Sequence, residues 1–482
     1  MCQKWCFKNY IVKVAVIGAG PAGMTAAYEL AKKIKDVDVF EAGPSVGGMS
    51  KTIELWNQKV DIGPHRFFSN DTRVNELWLE VVGKDYEMVD RLTRIYYNKK
   101  FFHYPIKALN ALTNMGIFKA AACMFYYGLE KINPTKDIQT FEGWVTNRFG
   151  KKLYQIFFKT YTEKLWGIPC NVLDADFAAQ RIKKFSLGEA IKTALFGNNG
   201  KHKTLVDQFA YPHGGTGMVY ERMSAFIKSK GGNVNLKSPV KKVITKNGAA
   251  YAIELENGSI KEYDHIISSM PISLMVSRLP EVPENIKTAA QSLKFRNTII
   301  VYLNIQAIDL FPDNWLYVHS NDLLMGRLTN FRNWVPNLYG NEKSTICALE
   351  YWCYDEDEFW TWDEQKLIEL AKEELRKTGL IGKVEISAGH VYKIPRCYPV
   401  YGTGYKDILK PLEDYLSSIK NLHVIGRYGA FKYNNQDHSI LMGKLAVENI
   451  LDGKKNNLWD INTDYDSYQE SSVITKTGLK KN

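Results

Sequence analysis

Val14-Ala15-Val16-Ile17 is a short apolar run that opens directly onto Gly18-Ala19-Gly20-Pro21-Ala22-Gly23, and this junction constrains the fold more than any other stretch. A helical pattern from Thr25 to Lys33 follows, and then a second strand ending Val39-Phe40-Glu41. Strand, glycines, helix and strand in that order predict a βαβ unit with parallel strands. Gly18 permits the tight turn out of the strand. Gly20 lets backbone amides approach a pyrophosphate at the helix N-terminus, and Gly23 lets the helix pack closely on the sheet. Glu41 stands about twenty residues on, where a carboxylate can accept both ribose hydroxyls. Glycine turns between strand and helix are common in isolation. Here strand, glycines, helix, second strand and terminal acid fall in register, which points to dinucleotide binding.

Gly47-Gly48 follows Glu41 after a short loop. The pattern of acid, Ala42-Gly43-Pro44 and glycine pair resembles the FAD-binding signature of the amine-oxidase and protoporphyrinogen-oxidase-like flavoproteins. The common form of that signature carries an arginine after the pair, where this chain has Met49-Ser50. The resemblance implies FAD as cofactor, held by Gly18, Gly20, Gly23, Glu41, Gly47 and Gly48. It also implies that the backbone of Val240, in a later strand, faces the adenine.

The 482 residues suffice for two to four domains with an ordinary apolar core, at 45% hydrophobic. Seven cysteines, scattered and without a CxxC pair, read as free thiols of a reducing cytoplasm, with no metal site. Met1 to Ile11 lacks the apolar stretch of a secretory signal. No run of about eighteen uncharged apolar residues occurs that would predict a transmembrane helix. Ala108 to Leu129 comes nearest, but Asn110, Asn114 and Lys119 interrupt it. It reads as a buried or amphipathic helix, with docking on a membrane surface as the alternative. The net charge of +11 is spread along the chain and forms no long basic block. A solvated basic surface, or a field that steers an anionic nucleotide, accounts for it without nucleic-acid binding.

Taken in order, Lys51 to Leu55 and Lys59 to Ile62 predict a strand pair leading to Gly63-Pro64-His65-Arg66-Phe67-Phe68-Ser69, a loop with an exposed histidine. Thr93 to Phe102 predicts a hairpin turning at Asn98-Lys99. Helical spacing dominates from Ile106 to Ala194. A helix from Val219 to Lys230, a hairpin at Asn257-Gly258 and a strand from His265 belong to a second Rossmann-like portion. Alternating strands between Thr298 and Ala388, with a charged helix from Asp363 to Thr378, suit a sheet flooring a pocket. Leu422 to Gly426 and a helix from Ser439 to Leu451 close the first sheet. Residues beyond Asp452 are polar and aperiodic, as in a loosely attached tail.

The most specific stretch is Gly426-Arg427-Tyr428-Gly429-Ala430-Phe431-Lys432-Tyr433-Asn434-Asn435-Gln436-Asp437-His438-Ser439. It resembles the UDP-galactopyranose mutases, more closely their eukaryotic branch. Gly63-Pro64-His65 with Phe68-Ser69 is similar to their histidine loop, and Lys164-Leu165-Trp166 with Arg181 to their uridine and pyrophosphate segment. Trp315-Leu316-Tyr317, Arg327 and Tyr398-Pro399 are similar to their phosphate-binding residues. Phe68 stands where bacterial mutases carry a second histidine, and Asn70 replaces a later one.

The resemblance implies an α/β protein with a discontinuous Rossmann-like FAD-binding domain (1–68, 205–297 and 420–452). A helical substrate domain (69–204), a mixed-sheet substrate domain (298–419) and a polar tail (453–482) complete it. It further implies interconversion of UDP-galactopyranose and UDP-galactofuranose, or of a related nucleotide sugar, through an adduct at N5 of reduced FAD, with NAD(P)H or another reductant. His65 and Arg427 would act at the flavin. Trp166, Arg181, Tyr317, Arg327, Tyr398 and Tyr433 would hold the substrate, because guanidinium forks and phenols suit a diphosphate. Gly426, Asn435, Gln436, Asp437 and Ser439 would join the cofactor site. A homo-oligomer is compatible with this reading. The same fold also hosts oxidases of amines and porphyrinogens, so an FAD-dependent oxidase stays open as the alternative.

Overall fold

The computed structural model describes residues 12–104, 108–178, 208–461 and 472–481. Arg181 lies outside them. Val14–Ile17, entirely apolar and buried, is the central strand of a five-stranded parallel sheet. Its neighbours are Val37–Phe40 on one side and His265–Ser268 on the other, with Asn233–Asn235 and Leu422–Val424 at the edges. Four separated stretches of chain therefore build one sheet. The helix expected from Thr25 begins earlier, as Pro21–Ala31, because Pro21 has the fixed φ and missing N–H that suit a first helical position. Gln436–Leu451 packs across it so closely that a Cβ on Gly443 would lie 2.4 Å from the carbonyl of Ala22. This helix also starts ahead of the expected Ser439, which places Gln436 and Asp437 in its first turn.

A second sheet has seven strands and mixed direction. Its order is Ile386–Pro399, Phe295–Ile305, Thr345–Cys353, Arg327–Asn330, Trp315–Val318, Thr93–Tyr97 and Lys100–His103. All pairs are antiparallel except Trp315–Val318 on Thr93–Tyr97. The Thr93–His103 hairpin turns through Asn98 and Lys99, both at positive φ, as a two-residue turn requires. Register sets the chemistry of this sheet. Tyr317 pairs with Arg327 and Arg327 with Glu350, so three polar side chains form a row across three adjacent strands.

The helices Ala108–Met115, Ile117–Ile132, Phe141–Phe149 and Lys151–Tyr154 pack on one another beside the Lys100–His103 strand, the last helix running through a π turn, Gln155–Lys159, into Thr160–Trp166. A π turn rotates the helix after it relative to the helix before it, and here it sets Tyr161 and Trp166 toward the seven-stranded sheet. The helix ends at Gly167 with φ +67, where a Cβ would meet the Arg296 guanidinium at 2.5 Å. The segment expected as one helix to Leu129 is broken at Gly116, φ +80.

The tail is not loosely attached where it is described. Ser472–Thr475 and Gly478–Lys481 form a hairpin that buries Val473 and Ile474. Asn75 donates to the Ser472 carbonyl at 3.0 Å and Tyr86 to that of Thr475 at 2.7 Å. Val473 and Ile474 are adjacent, and two apolar residues between polar ones are too short a run to register as a pattern.

Candidate active site

The first turn of Pro21–Ala31 has neither a side-chain cap nor an acidic residue, so its amides are available to an anion. Gly18 is at φ +94 and Gly48 at φ +52. A Cβ on Gly23 would stand 2.0 Å from the Gly18 carbonyl oxygen, and one on Gly48 would stand 2.8 Å from Cα of Gly20. The two glycine loops thus meet over the helix N-terminus with backbone alone. Glu41, at the end of the second strand, accepts from the amides of Ala19 at 2.8 Å and Gly43 at 2.7 Å. Gly47, at φ +100, donates its amide to the Ala19 carbonyl. Val240 opens the strand that follows Ser238, whose amide donates to the Glu41 carbonyl, so Val240 is buried beside the same loop.

Gly426, at φ +84, turns the last strand into the short helix Gly426–Gly429 that carries Arg427. Asn435 precedes the helix Gln436–Leu451 without capping it through its side chain. Gln436 accepts from the Tyr220 hydroxyl at 3.0 Å and donates to the Arg66 carbonyl at 3.3 Å, which ties this helix to the histidine loop. Asp437 and Ser439 are buried, and Oδ1 of Asp437 lies 2.8 Å from Nδ1 of His438.

Phe67 anchors the histidine loop, bridging to Ala210 and stacking on Trp78 at 4.5 Å. Thr216 donates its hydroxyl to the His65 carbonyl at 2.8 Å. The ring expected to be exposed is instead half-buried, with Nδ1 sealed from solvent and without a partner among the described residues. Burial, and then the charges of Arg327 and Arg427, push its pKa down to about 3, so the imidazole is neutral. Arg427 donates to the carbonyls of Cys397 at 3.1 Å and Asn434 at 2.7 Å, while its Nη2 is sealed without an acceptor among the described residues. Its guanidinium lies over Tyr433 at 4.4 Å and Tyr398 at 4.9 Å.

Arg327 makes a two-pronged ion pair with Glu350, one bond at 2.7 Å, and donates to the Tyr398 hydroxyl at 3.1 Å. Tyr398 stacks on Tyr433 at 5.5 Å. Tyr317 meets Tyr161 edge-on at 5.4 Å and Tyr104 at 5.0 Å. His65, Tyr317, Arg327, Tyr398, Arg427 and Tyr433, drawn from separate parts of the chain, therefore converge on one locality. Trp166, expected among the substrate-holding residues, is set apart from the others by the depth of its burial. It is wholly buried among Tyr398, Tyr401, Tyr433 and Phe177, because the π turn and Gly167 drive it into the core. Lys164 beside it donates to the Ser320 carbonyl at 2.6 Å and tethers helix to sheet.

Four residues of this locality are not evident from the sequence. Tyr161 packs against Tyr317, His319 and Trp352. Glu350 sits alone in an otherwise apolar strand, and that isolated acid was its available signal. His319 stacks on Tyr161 at 4.9 Å. Asp61 is fully buried, accepting from Thr52 at 2.6 Å, Tyr211 at 2.8 Å and the Thr216 amide at 3.1 Å. Burial raises its pKa to about 6 against those bonds.

A family model described as flavin-containing amine oxidoreductase matches residues 21–451. The chain belongs to that family. The flavin-containing amine oxidoreductases bind FAD, and FAD is the cofactor here. The uncapped helix N-terminus, the side-chain-free glycine cradle and the unpaired Nη2 of Arg427 fit such a group, the last facing the demand of a flavin for a donor. Among curated relatives, coproporphyrinogen III oxidase of Bacillus subtilis (strain 168) is 22% identical over 91% of this chain and 97% of its own. A probable UDP-galactopyranose mutase of Klebsiella pneumoniae is 28% identical over 36% of this chain and 46% of its own. Among solved structures, reduced UDP-galactopyranose mutase superposes with a TM-score of 0.82 at 21% identity, over 92% of this chain and 95% of that one. A putative protoporphyrinogen oxidase from Exiguobacterium sp. 255-15 gives 0.69 at 15% identity, over 92% and 99%. At these identities the structural likeness is one of fold.

Proposed function

We propose that the protein is a nucleotide-sugar mutase that works on reduced FAD and interconverts the pyranose and furanose forms of UDP-galactose or of a related sugar nucleotide. The observation that carries this reading is the convergence of Arg327, Tyr317, Tyr398 and Tyr433 beside His65 and Arg427. Bound and reduced, FAD would supply the nucleophile that exchanges with the diphosphate at the anomeric carbon. The protein's share is positional. Arg327, its buried charge balanced by Glu350, offers the diphosphate a guanidinium edge flanked by phenols. Neutral His65 donates or accepts without adding charge. Arg427 balances a reduced, anionic flavin. Aromatic walls from Tyr161, Trp166 and Trp352 exclude water and strengthen each of these contacts. On this reading residues 1–68, 205–297 and 420–452 form the FAD domain, 69–204 and 298–419 the substrate domains. NAD(P)H or another reductant keeps the flavin reduced, and the enzyme works in the cytoplasm, where UDP-sugars are made.

A second reading, an FAD-dependent oxidase, has its own support in the match to coproporphyrinogen III oxidase along 91% of the chain. Titration of the purified flavoprotein separates the two. UDP should perturb the flavin spectrum of the wild type and not of a Tyr398→Phe/Tyr433→Phe variant that still binds FAD. Indifference to UDP, together with bleaching of the flavin by coproporphyrinogen III and its reoxidation by oxygen, would make it an oxidase.

A further inference from the structure

The helix Ile117–Ile132 is packed the wrong way round for a surface helix. Its inward residues are small, Ala120 and Cys123, while Ile117, Phe118, Phe125 and Ile132 are 78%, 87%, 63% and 82% exposed. Leu129, 43% exposed, fills the gap between Phe125 and Ile132. At 100° per residue, Phe118, Phe125, Leu129 and Ile132 fall on one stripe, with Ile117 at its margin. Scattered exposed apolar residues are ordinary, but a continuous stripe along four turns marks a surface that binds something apolar.

Charge says what that is. Lys119 and Lys131 border the stripe on its two sides, and Lys136 lies just beyond its C-terminal end, all exposed. The helix's own carboxylate, Glu130, is turned inward and accepts from the Thr135 amide. Asp137, the nearby exposed acid, is engaged with the Gln139 amide. An apolar face with ammonium groups on both edges and no exposed carboxylate on the helix itself suits an interface with an apolar interior and an anionic rim. A second copy of the same face would return only lysines to those edges.

We propose that this face docks the protein on a bilayer containing anionic lipid, the helix lying in the headgroup plane. No helix among the described residues is long and apolar enough to span a membrane, so attachment is to the surface. The docked helix would be close to the site. Cys123 shares a small cluster with Phe102 and Phe157, against which Tyr317 packs. Each lysine at the surface should add about fivefold to partitioning, a gain that salt removes.

The test is flotation of the full-length flavoprotein with phosphatidylcholine vesicles, with and without phosphatidylglycerol, alongside sedimentation velocity. The wild type should float with the anionic vesicles at low salt. Phe118→Asp/Phe125→Asp should lose at least tenfold in binding while keeping its flavin spectrum, and Lys119→Glu/Lys131→Glu should lose the preference for phosphatidylglycerol. Because these side chains are exposed, the variants should fold. Failure of the wild type to float, or flotation that both variants retain, would overturn the proposal. So would a lipid-independent dimer that Phe118→Asp/Phe125→Asp dissolves, which would give the face to a second copy.

Discussion

Arg327 carries its charge in a buried place, and Glu350 balances that charge there. Removing the guanidinium alone would strand a buried carboxylate, at a cost of about 3–5 kcal/mol to the fold. The informative variant is therefore Arg327→Met/Glu350→Gln, which withdraws both charges together. It should retain FAD and melt near the wild type, yet lose at least about 30-fold in kcat/KM, the loss expected for one buried charged contact to a diphosphate. His65 poses a different question. With its pKa near 3 it cannot exchange a proton at neutral pH, so it acts by position. His65→Ala should leave KM unchanged and lower kcat by up to about 100-fold. A pH profile of the wild type should show no limb near 6.5 from this residue. Equal kinetics in mutant and parent would remove His65 from the site.

At the scale of elements, the cradle is a matter of close approach, and Gly23 is its tightest point. A methyl group there meets the Gly18 carbonyl at 2.0 Å, so Gly23→Ala should yield protein with a greatly reduced flavin-to-protein absorbance ratio. A full complement of flavin would show that the turn can shift. This element was legible in the sequence because everything it needs is local: an apolar strand, three glycines, a proline and an acid. The terminal segment from Gly426 to Ser439 was legible for the same reason. The polar row of the second sheet was not derivable from the residues alone, since Tyr317, Arg327 and Glu350 meet only through the register of three strands. The burial of Trp166 was illegible because a π turn leaves no composition signature. The C-terminal hairpin was illegible too, since its contacts lie nearly four hundred residues back, at Asn75 and Tyr86. Deleting residues 472–482 exposes the surface against which Val473 and Ile474 pack, and should lower the melting temperature by several degrees.

Across the whole molecule, buried ionisable groups give stability a pH dependence of two opposite signs. His319, like His65, is held near pKa 3 by burial, with the charge of Lys164 adding to it. The fold keeps it neutral while the unfolded chain binds a proton below about 6.5, so it subtracts stability as pH falls from 6.5 toward 3. Asp61, raised to about 6 by burial, works the other way. The fold takes up its proton before the unfolded chain does, so stability gains from this group as pH falls from 6 toward 4. Thermal melts from pH 7 to 4.5 should therefore show His319→Gln losing less stability on acidification than the wild type and Asp61→Asn losing more. Parallel curves would mean that these groups titrate alike in both states. Both groups brace the site, His319 through Tyr161 and Asp61 through Thr216 to the His65 carbonyl, but only Asp61 changes protonation in the folded state over this range, so activity should change near pH 6 through Asp61 alone.

The central claim is that the FAD-bound pocket handles a sugar nucleotide without net redox change. Its most direct test is incubation of the purified flavoprotein with UDP-galactopyranose and UDP-galactofuranose, with and without dithionite, resolved by chromatography. Interconversion that requires the reduced flavin and leaves it reduced is the predicted result. Absence of any change in either sugar nucleotide, with coproporphyrinogen III turned over aerobically by the same preparation, would contradict it.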